Sequence, residues 1–140
     1  MRLITHSPEE TEAAGAGFAQ ALAPGDVVTL GGDLGAGKTA FARGVLRGLG
    51  YAGRVTSPTF AIANEYDAPG GAVAHFDLYR ILDPDALYEL GFEEYLDGTR
   101  ILLIEWSENA GDLLPAAHKS VHLAYGDGPD DRILTIEETI

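Results

Sequence analysis

Short apolar runs recur along this chain, and their lengths predict strands. Runs of three to five apolar residues, many of them β-branched, are too short for helices and fit strands covered on both faces. The predicted strands lie at 3–5, 27–30, 72–76 and 101–104, with a further strand within 58–66. Two last runs flank a Gly-Asp-Gly-Pro turn and predict a terminal β-hairpin, at 121–125 and 132–136.

Between the strands, apolar residues at helical spacing predict helices. Ser7 can cap a first helix, Pro8 suits the first helical position, and Glu10 can complete a capping box. The buried face of this helix is predicted at Ala14, Phe18, Ala21 and Leu22. A second helix, with its apolar positions within 41–49, is predicted to stop at Gly50.

Strands that alternate with helices predict an α/β fold. We expect a P-loop NTPase architecture, in which helices flank a small, mostly parallel sheet and the chain ends in the β-hairpin. Residues 83–96 are expected to form one or two short helices, and 109–117 a helix or a loop. The length of 140 residues, with no linker inside, predicts a single domain over residues 1–140.

The stretch between the second strand and the second helix has the phosphate-binding pattern. Residues 32–39 read Gly-Asp-Leu-Gly-Ala-Gly-Lys-Thr. In such a loop backbone N–H groups surround the phosphates, Lys38 reaches the β- and γ-phosphates, and the Thr39 hydroxyl is placed to bind Mg²⁺. A glycine turn with a lysine also arises by chance, but the strand before it and the helix after it favour nucleotide binding. The predicted nucleotide contacts are Asp33, Leu34, Gly35, Ala36, Gly37, Lys38, Thr39 and Ala40.

Hydrolysis requires acids as well as a phosphate loop. Asp77 and Glu105 each follow an apolar strand, at the strand end where ligands gather in an open α/β sheet. Each could instead be an ordinary surface carboxylate, and their positions do not decide which of them binds Mg²⁺. His75 is expected to be an ordinary strand histidine, and Trp106 to pack in the core or to stack on a ligand or partner.

Two arginines are further candidates for the site. Arg80 could stabilise charge at the γ-phosphate, although a surface arginine is the commoner outcome. Arg132, on the terminal hairpin, could approach the adenine.

Composition and charge narrow the possible partners. The formal net charge is −13, from nine basic and 22 acidic residues. Direct binding of RNA or DNA needs a basic surface, so it is not expected here. The acidity fits either solubility or docking onto a basic partner.

Composition also bears on location. The chain has no cysteine, and no apolar run approaches the roughly 20 residues of a membrane helix. The first residues do not resemble a signal peptide, so a cytoplasmic protein without membrane contact is expected.

Four segments, in order and spacing, resemble the bacterial TsaE (YjeE) family. They are the loop at 32–39, Thr-Ser-Pro-Thr-Phe at 56–60, His-Phe-Asp-Leu-Tyr-Arg at 75–80 and Ile-Glu-Trp at 104–106. The resemblance implies an ATPase, with ATP and Mg²⁺, that is needed to make threonylcarbamoyladenosine in tRNA. It also implies that the partner is a TsaD–TsaB heterodimer, which handles the tRNA.

The same resemblance implies roles for individual residues. Lys38, Asp77 and Glu105 would be catalytic. Thr39 and Glu105 would bind Mg²⁺, with Glu105 as the Walker-B-like ligand. Residues 56–59 would form a switch-like segment near the γ-phosphate. Trp106 would lie beside the site and respond to the partner.

Two other functions compete with this one. A small-molecule kinase is the commonest alternative use of a short P-loop domain, but no group of arginines here resembles the lid that such kinases use. A nucleotide-dependent binding module without turnover is the third possibility.

Overall fold

Seven strands form one sheet in the computed structural model, which describes residues 1–33, 35–55 and 63–139. The strands are β1 Arg2–Thr5, β2 Val27–Gly32, β3 Ala63–Ala68, β4 Gly71–Asp77, β5 Arg100–Glu105, β6 His118–Tyr125 and β7 Arg132–Thr139. Their order across the sheet is β1-β7-β6-β2-β5-β4-β3. The helices of the described residues are α1 Pro8–Ala19, α2 Lys38–Gly48 and α3 Pro84–Glu89, with 3₁₀ helices at Phe92–Leu96 and Ser107–Leu113.

The sheet is parallel in its centre and antiparallel at both edges. β6, β2, β5 and β4 run parallel to one another. The edge pairs β1–β7, β6–β7 and β3–β4 are antiparallel. Short turns can join only antiparallel neighbours, which explains the pairs β3–β4 and β6–β7. The expected α/β sheet with a terminal hairpin is therefore present, as a mixed sheet.

Apolar residues of β5 alternate between two cores, one on each face of the sheet. Ile101 and Leu103 pack in the core beneath α1 and α2. Leu102 and Ile104 pack in the opposite core, with α3 and the 3₁₀ segments. Since both faces are covered, the strand is apolar throughout, as its unbroken run predicts.

The first helix begins as predicted but ends earlier. The Ser7 Oγ accepts a hydrogen bond from the Glu10 N–H at 3.1 Å, and the Glu10 carboxylate accepts from the His6 N–H rather than from that of Ser7. Ala21 and Leu22, predicted on the helix, follow its end at Ala19. Their N–H groups bond to the carbonyls three residues earlier, so the last turn tightens to 3₁₀ geometry.

The structure also gives the bounds of the segments that the sequence left open between 58 and 117. Residues 83–96 form α3 and a 3₁₀ helix, and the segment at 109–117 begins inside the second 3₁₀ helix. The strand expected within 58–66 starts at Ala63, and residues 56–62 lie outside the described residues. No helix in the described ranges has the length and apolar character to cross a membrane.

α1 and α2 approach each other through glycines. A Cβ at Gly44 of α2 would overlap the Glu12 carbonyl oxygen of α1, and one at Gly15 would overlap that of Phe41. Neither acceptor is a flexible side chain, so a larger residue would force the helices apart. The contact holds α2, and with it the loop that precedes α2, against the rest of the fold.

We expect Gly44→Ala to lower the free energy of unfolding by about 1–3 kcal/mol, because overpacking outweighs the better helix propensity of alanine. Gly17→Ala in α1 is the matched control, since a Cβ at Gly17 meets nothing within 4 Å. That variant should gain up to about 1 kcal/mol. Urea unfolding of both variants measures the difference, and equal gains in stability would contradict the close approach of the helices.

Candidate functional site

The glycine loop lies at the carboxyl end of β2, in the middle of the sheet. β2 pairs with β5 on one side and with β6 on the other. Because β5 and β6 follow one another in the chain, their connection crosses from one side of β2 to the other, which makes the end of β2 a topological switch point. Ligands in open α/β sheets bind at such switch points. Gly32 has φ 131°, and a Cβ there would overlap the Leu123 carbonyl oxygen, so only glycine fits.

α2 begins at Lys38 and has no side-chain cap. Its N-cap is Gly37, in the left-handed region with φ 101°. A glycine cap leaves the N–H groups of the first turn to other acceptors, and the helix dipole adds positive potential there. Backbone N–H groups at a helix start favour an anion such as phosphate.

Lys38 points back over the loop. Its Nζ donates a hydrogen bond to the Gly32 carbonyl at 3.3 Å and lies 3.9 Å from Oε1 of Glu105. The same Nζ lies 5.8 Å from the centre of the Trp106 ring. Since the side chain is only 12% exposed, the ammonium is held between a carboxylate and an aromatic ring at the loop.

Glu105, the last residue of β5, has its side chain almost buried. Its Oε1 is the atom near Lys38, and its Oε2 lies 2.7 Å from Nε2 of His75 in β4. The sequence interpretation of His75 as an ordinary strand histidine missed this contact. Its position two residues before Asp77, and so on the same face of a strand, was the available signal.

Asp77, the last residue of β4, lies directly across from Glu105 in the parallel pair β4–β5. Its Oδ1 accepts a hydrogen bond from the Tyr79 N–H at 3.0 Å, which fixes the turn after the strand. The Leu78 N–H donates to the Glu105 carbonyl and continues the strand pairing past Asp77. The two acids predicted at strand ends are therefore neighbours at the carboxyl ends of two adjacent inner strands.

Trp106 has the only positive φ of a non-glycine residue among those the structure describes, at 58°. Its ring lies 4.9 Å from that of Tyr79, centre to centre, and it is 40% exposed. Of the two alternatives for Trp106, core packing is therefore excluded. A left-handed bulky residue is costly, and such strain concentrates at functional sites.

The terminal hairpin reaches the other side of the loop. Arg132 carries its guanidinium 4.8 Å from the centre of the Tyr125 ring and donates to the Pro129 carbonyl. A shallow pocket joins the hairpin, α1 and the loop, and its lining is Pro8, Thr11, Gly35, Gly37, Ala40, Asp130 and Arg132. Arg80 is exposed.

A hydrogen-bonded pair of side chains connects the hairpin turn with the residue that follows β1. His6 Nδ1 and Asp131 Oδ1 are 2.9 Å apart. This hydrogen bond raises the pKa of His6 above its ordinary value, and it lowers the pKa of Asp131. The pair links two segments that border the pocket.

The described residues contain no group of three His, Asp or Glu side chains that could hold a metal ion by themselves. Mg²⁺ does not need one, because it keeps several waters and takes one or two protein oxygens plus phosphate. Thr39, in the first turn of α2, and the carboxylate of Glu105 supply oxygens of this kind. The nearly buried Oε1 of Glu105, beside the loop ammonium, fits Mg²⁺ bound together with phosphates.

The loop, the lysine at the start of α2 and the acid at the end of the adjacent strand define the P-loop NTPase fold class. The family model described as "Threonylcarbamoyl adenosine biosynthesis protein TsaE" matches residues 5–133. The chain belongs to the TsaE family.

Individual relatives agree with the family model. The chain is 46% identical over 101 residues to the tRNA threonylcarbamoyladenosine biosynthesis protein TsaE of Haemophilus influenzae. The aligned residues make up 72% of this chain and 64% of that protein, slightly under two thirds of its length. It is 40% identical over 131 residues to the protein of the same name from Bacillus subtilis, covering 94% of this chain and 81% of that one. The crystal structure of Bacillus subtilis YdiB has a TM-score of 0.82 and 35% identity, over 100% of this chain and 86% of that chain.

Most predicted site residues meet at the carboxyl ends of the parallel inner strands. Lys38, Asp77 and Glu105 lie together there, and Thr39 and Ala40 lie in the first turn of α2. Asp33 is exposed in the loop. Leu34 and the switch-like segment at 56–59 lie outside the described residues.

Proposed function

We propose that this protein binds ATP with Mg²⁺, hydrolyses it to ADP and phosphate, and thereby serves threonylcarbamoyladenosine modification of tRNA through the TsaD–TsaB heterodimer. The observation that carries the proposal is the position of the Lys38 ammonium, 3.9 Å from Glu105 at the mouth of an uncapped helix. Membership of the TsaE family supplies the biological context.

Each residue has a distinct part in this proposal. Backbone N–H groups of residues 33–40 hold the phosphates, and Lys38 places its charge against the β- and γ-phosphates. Thr39 and Glu105 hold Mg²⁺, which when bound neutralises charge that develops on the phosphates. Asp77, beside Glu105, orients the attacking water.

The hairpin supports the adenine side of the same proposal. Arg132 borders the pocket that opens next to Gly35 and Ala40. Guanidinium groups stack on aromatic faces, and Arg132 already does so on Tyr125. We therefore assign this pocket to the base and sugar of the nucleotide.

The partner part of the proposal is supported by the charge of the chain and by the behaviour of other P-loop proteins. A net charge of −13 opposes direct contact with tRNA, so tRNA is reached through the partner complex in the cytoplasm. Other P-loop proteins gain rate when a partner supplies an arginine or orders a switch segment. We expect the TsaD–TsaB pair to act on this chain in the same way.

A phosphate-release assay of the pure chain, alone, with the TsaD–TsaB pair, and with bulk tRNA, tests the proposal. We expect slow hydrolysis alone, a marked rise with the pair and no comparable effect of tRNA. Phosphate transferred to a small acceptor would instead identify a kinase, and bound but unchanged ATP would identify a binding module. Failure to bind the pair, or strong salt-sensitive binding of tRNA by the chain alone, would contradict the partner assignment.

A further inference from the structure

We infer that His75 is a positioning residue for the metal-binding carboxylate: it donates from Nε2 to Oε2 of Glu105 and so directs Oε1 towards the loop. The inference rests on the proposed function, because it concerns how Glu105 is presented to Mg²⁺ and nucleotide. It assigns a task to a residue that the sequence pattern alone presents as ordinary strand packing.

The direction of the hydrogen bond follows from the chemistry of the two groups. An ionised carboxylate has only acceptor atoms, so the hydrogen of the 2.7 Å contact belongs to His75 Nε2. The side chains are 1% and 9% exposed, which leaves little water to compete for the bond. A charge-assisted hydrogen bond in such surroundings is among the stronger ones.

The other ring nitrogen shows that packing alone does not explain this histidine. Nδ1 of His75 is buried and has no hydrogen-bond partner among the residues that the structure describes. An unsatisfied buried polar atom costs free energy that an aliphatic side chain of similar size would not. Within the described residues, the hydrogen bond to Glu105 is therefore the one polar contact of the buried ring.

The sheet makes this contact rigid. One face of β4 carries Val73, His75 and Asp77, because every second residue of a strand points to the same side. Val73 belongs to the core beneath α1 and α2. Glu105 lies on the same face of the adjacent strand, in register with Asp77. Because both residues are on paired central strands, the imidazole has little freedom to leave the carboxylate.

The two carboxylate oxygens thus have separate partners. Oε2 is occupied by His75, and Oε1 lies 3.9 Å from the Lys38 ammonium. Without His75, the Glu105 side chain could rotate and pair both oxygens with Lys38. Loss of groups that orient a metal ligand typically lowers metal affinity about 10–100-fold.

Three substitutions at this one position separate orientation from packing. His75→Leu removes the donor and keeps much of the volume. His75→Gln places an amide N–H near the position of Nε2, whereas His75→Asn reaches only as far as Nδ1. Gln and Asn are both polar and differ mainly in reach, so they form a matched pair.

Two quantities are measured for each variant. The first is the affinity for a fluorescent ATP analogue, with Mg²⁺ and with EDTA, and the second is the Mg²⁺ concentration that gives half-maximal turnover. We expect His75→Leu and His75→Asn to leave binding in EDTA within about twofold and to raise the Mg²⁺ requirement about 10–100-fold. His75→Gln should bring the Mg²⁺ requirement most of the way back to that of the original protein. Thermal unfolding of each variant shows whether stability accounts for any change.

The outcomes distinguish the two levels of the proposal. If the original protein binds the analogue equally well with Mg²⁺ and with EDTA, the proposed Mg²⁺-dependent function fails, and the inference fails with it. If the original protein depends on Mg²⁺ and all three variants keep its Mg²⁺ requirement, only the role of His75 is refuted. Equal losses in Gln and Asn that follow stability would also refute it, and would leave a structural histidine.

Discussion

Lys38→Ala is expected to abolish ATP hydrolysis and to weaken nucleotide binding. The ammonium is the only lysine charge at the loop, and it lies within 4 Å of both Gly32 and Glu105. Its loss removes the positive charge that the proposal places against the β- and γ-phosphates, and leaves only Mg²⁺ and the backbone N–H groups to offset their negative charge. We expect turnover to fall at least about 100-fold, equivalent to about 2.7 kcal/mol of transition-state stabilisation.

The second lysine of the chain provides the matched control. Lys119 pairs with Asp26 at 3.2 Å and with Glu138 at 3.8 Å, and it lies near the start of β6, at the opposite end of the sheet from the loop. Lys119→Ala removes the same charge from the protein. We expect it to keep nucleotide affinity and turnover, as measured by titration and phosphate release. Unchanged turnover in Lys38→Ala would remove the P-loop assignment, and equal losses in both variants would indicate a general effect of charge.

The two acids at the strand ends are expected to respond differently to Mg²⁺. Glu105→Gln keeps the size of the side chain and removes its negative charge, so we expect a loss of turnover of about 100-fold or more and a higher Mg²⁺ requirement. Asp77→Asn should slow turnover at least about tenfold, or about 1.4 kcal/mol, at an unchanged Mg²⁺ requirement. The reason is that a metal ligand acts through affinity, whereas an acid that orients water acts on the rate alone.

Steady-state hydrolysis measured over a series of Mg²⁺ concentrations tests both expectations. The exposed Glu108, three residues after Glu105, is the control, and Glu108→Gln should match the original protein. If neither Glu105→Gln nor Asp77→Asn slows turnover tenfold, these acids are structural carboxylates. If the Mg²⁺ requirement rises in Asp77→Asn and not in Glu105→Gln, their proposed roles are exchanged.

Local sequence determines the parts of the site that lie close together in the chain. The glycines at 32, 35 and 37 and the lysine that follows can form a phosphate loop through their own backbone angles, whatever surrounds them. The Ser7 cap is local in the same sense, and the structure contains the predicted hydrogen bond. Apolar runs also predict most strands, because burial on both faces requires them to be apolar throughout.

Strand order and the exposure of Trp106 could not be predicted in this way. Trp106 follows an apolar strand, which favours core packing, yet its left-handed backbone turns the ring onto Tyr79 at the surface. α1 also ends earlier than its spacing predicts, since apolar residues at helical spacing continue beyond Ala19, where the hydrogen bonds tighten to 3₁₀ geometry. In each case backbone geometry that no periodicity records decided the outcome.

By itself the sequence determined the glycine loop between β2 and α2, the strand-end position of Asp77 and Glu105, and the family to which the chain belongs. Only the tertiary structure decided that Glu105 stands between His75 and Lys38. Residues 75 and 105 are 30 positions apart, and they meet because β4 and β5 pair in parallel in one register. A shift of that register by one residue would turn one of them to the opposite face, so the contact depends on the whole sheet rather than on any local pattern.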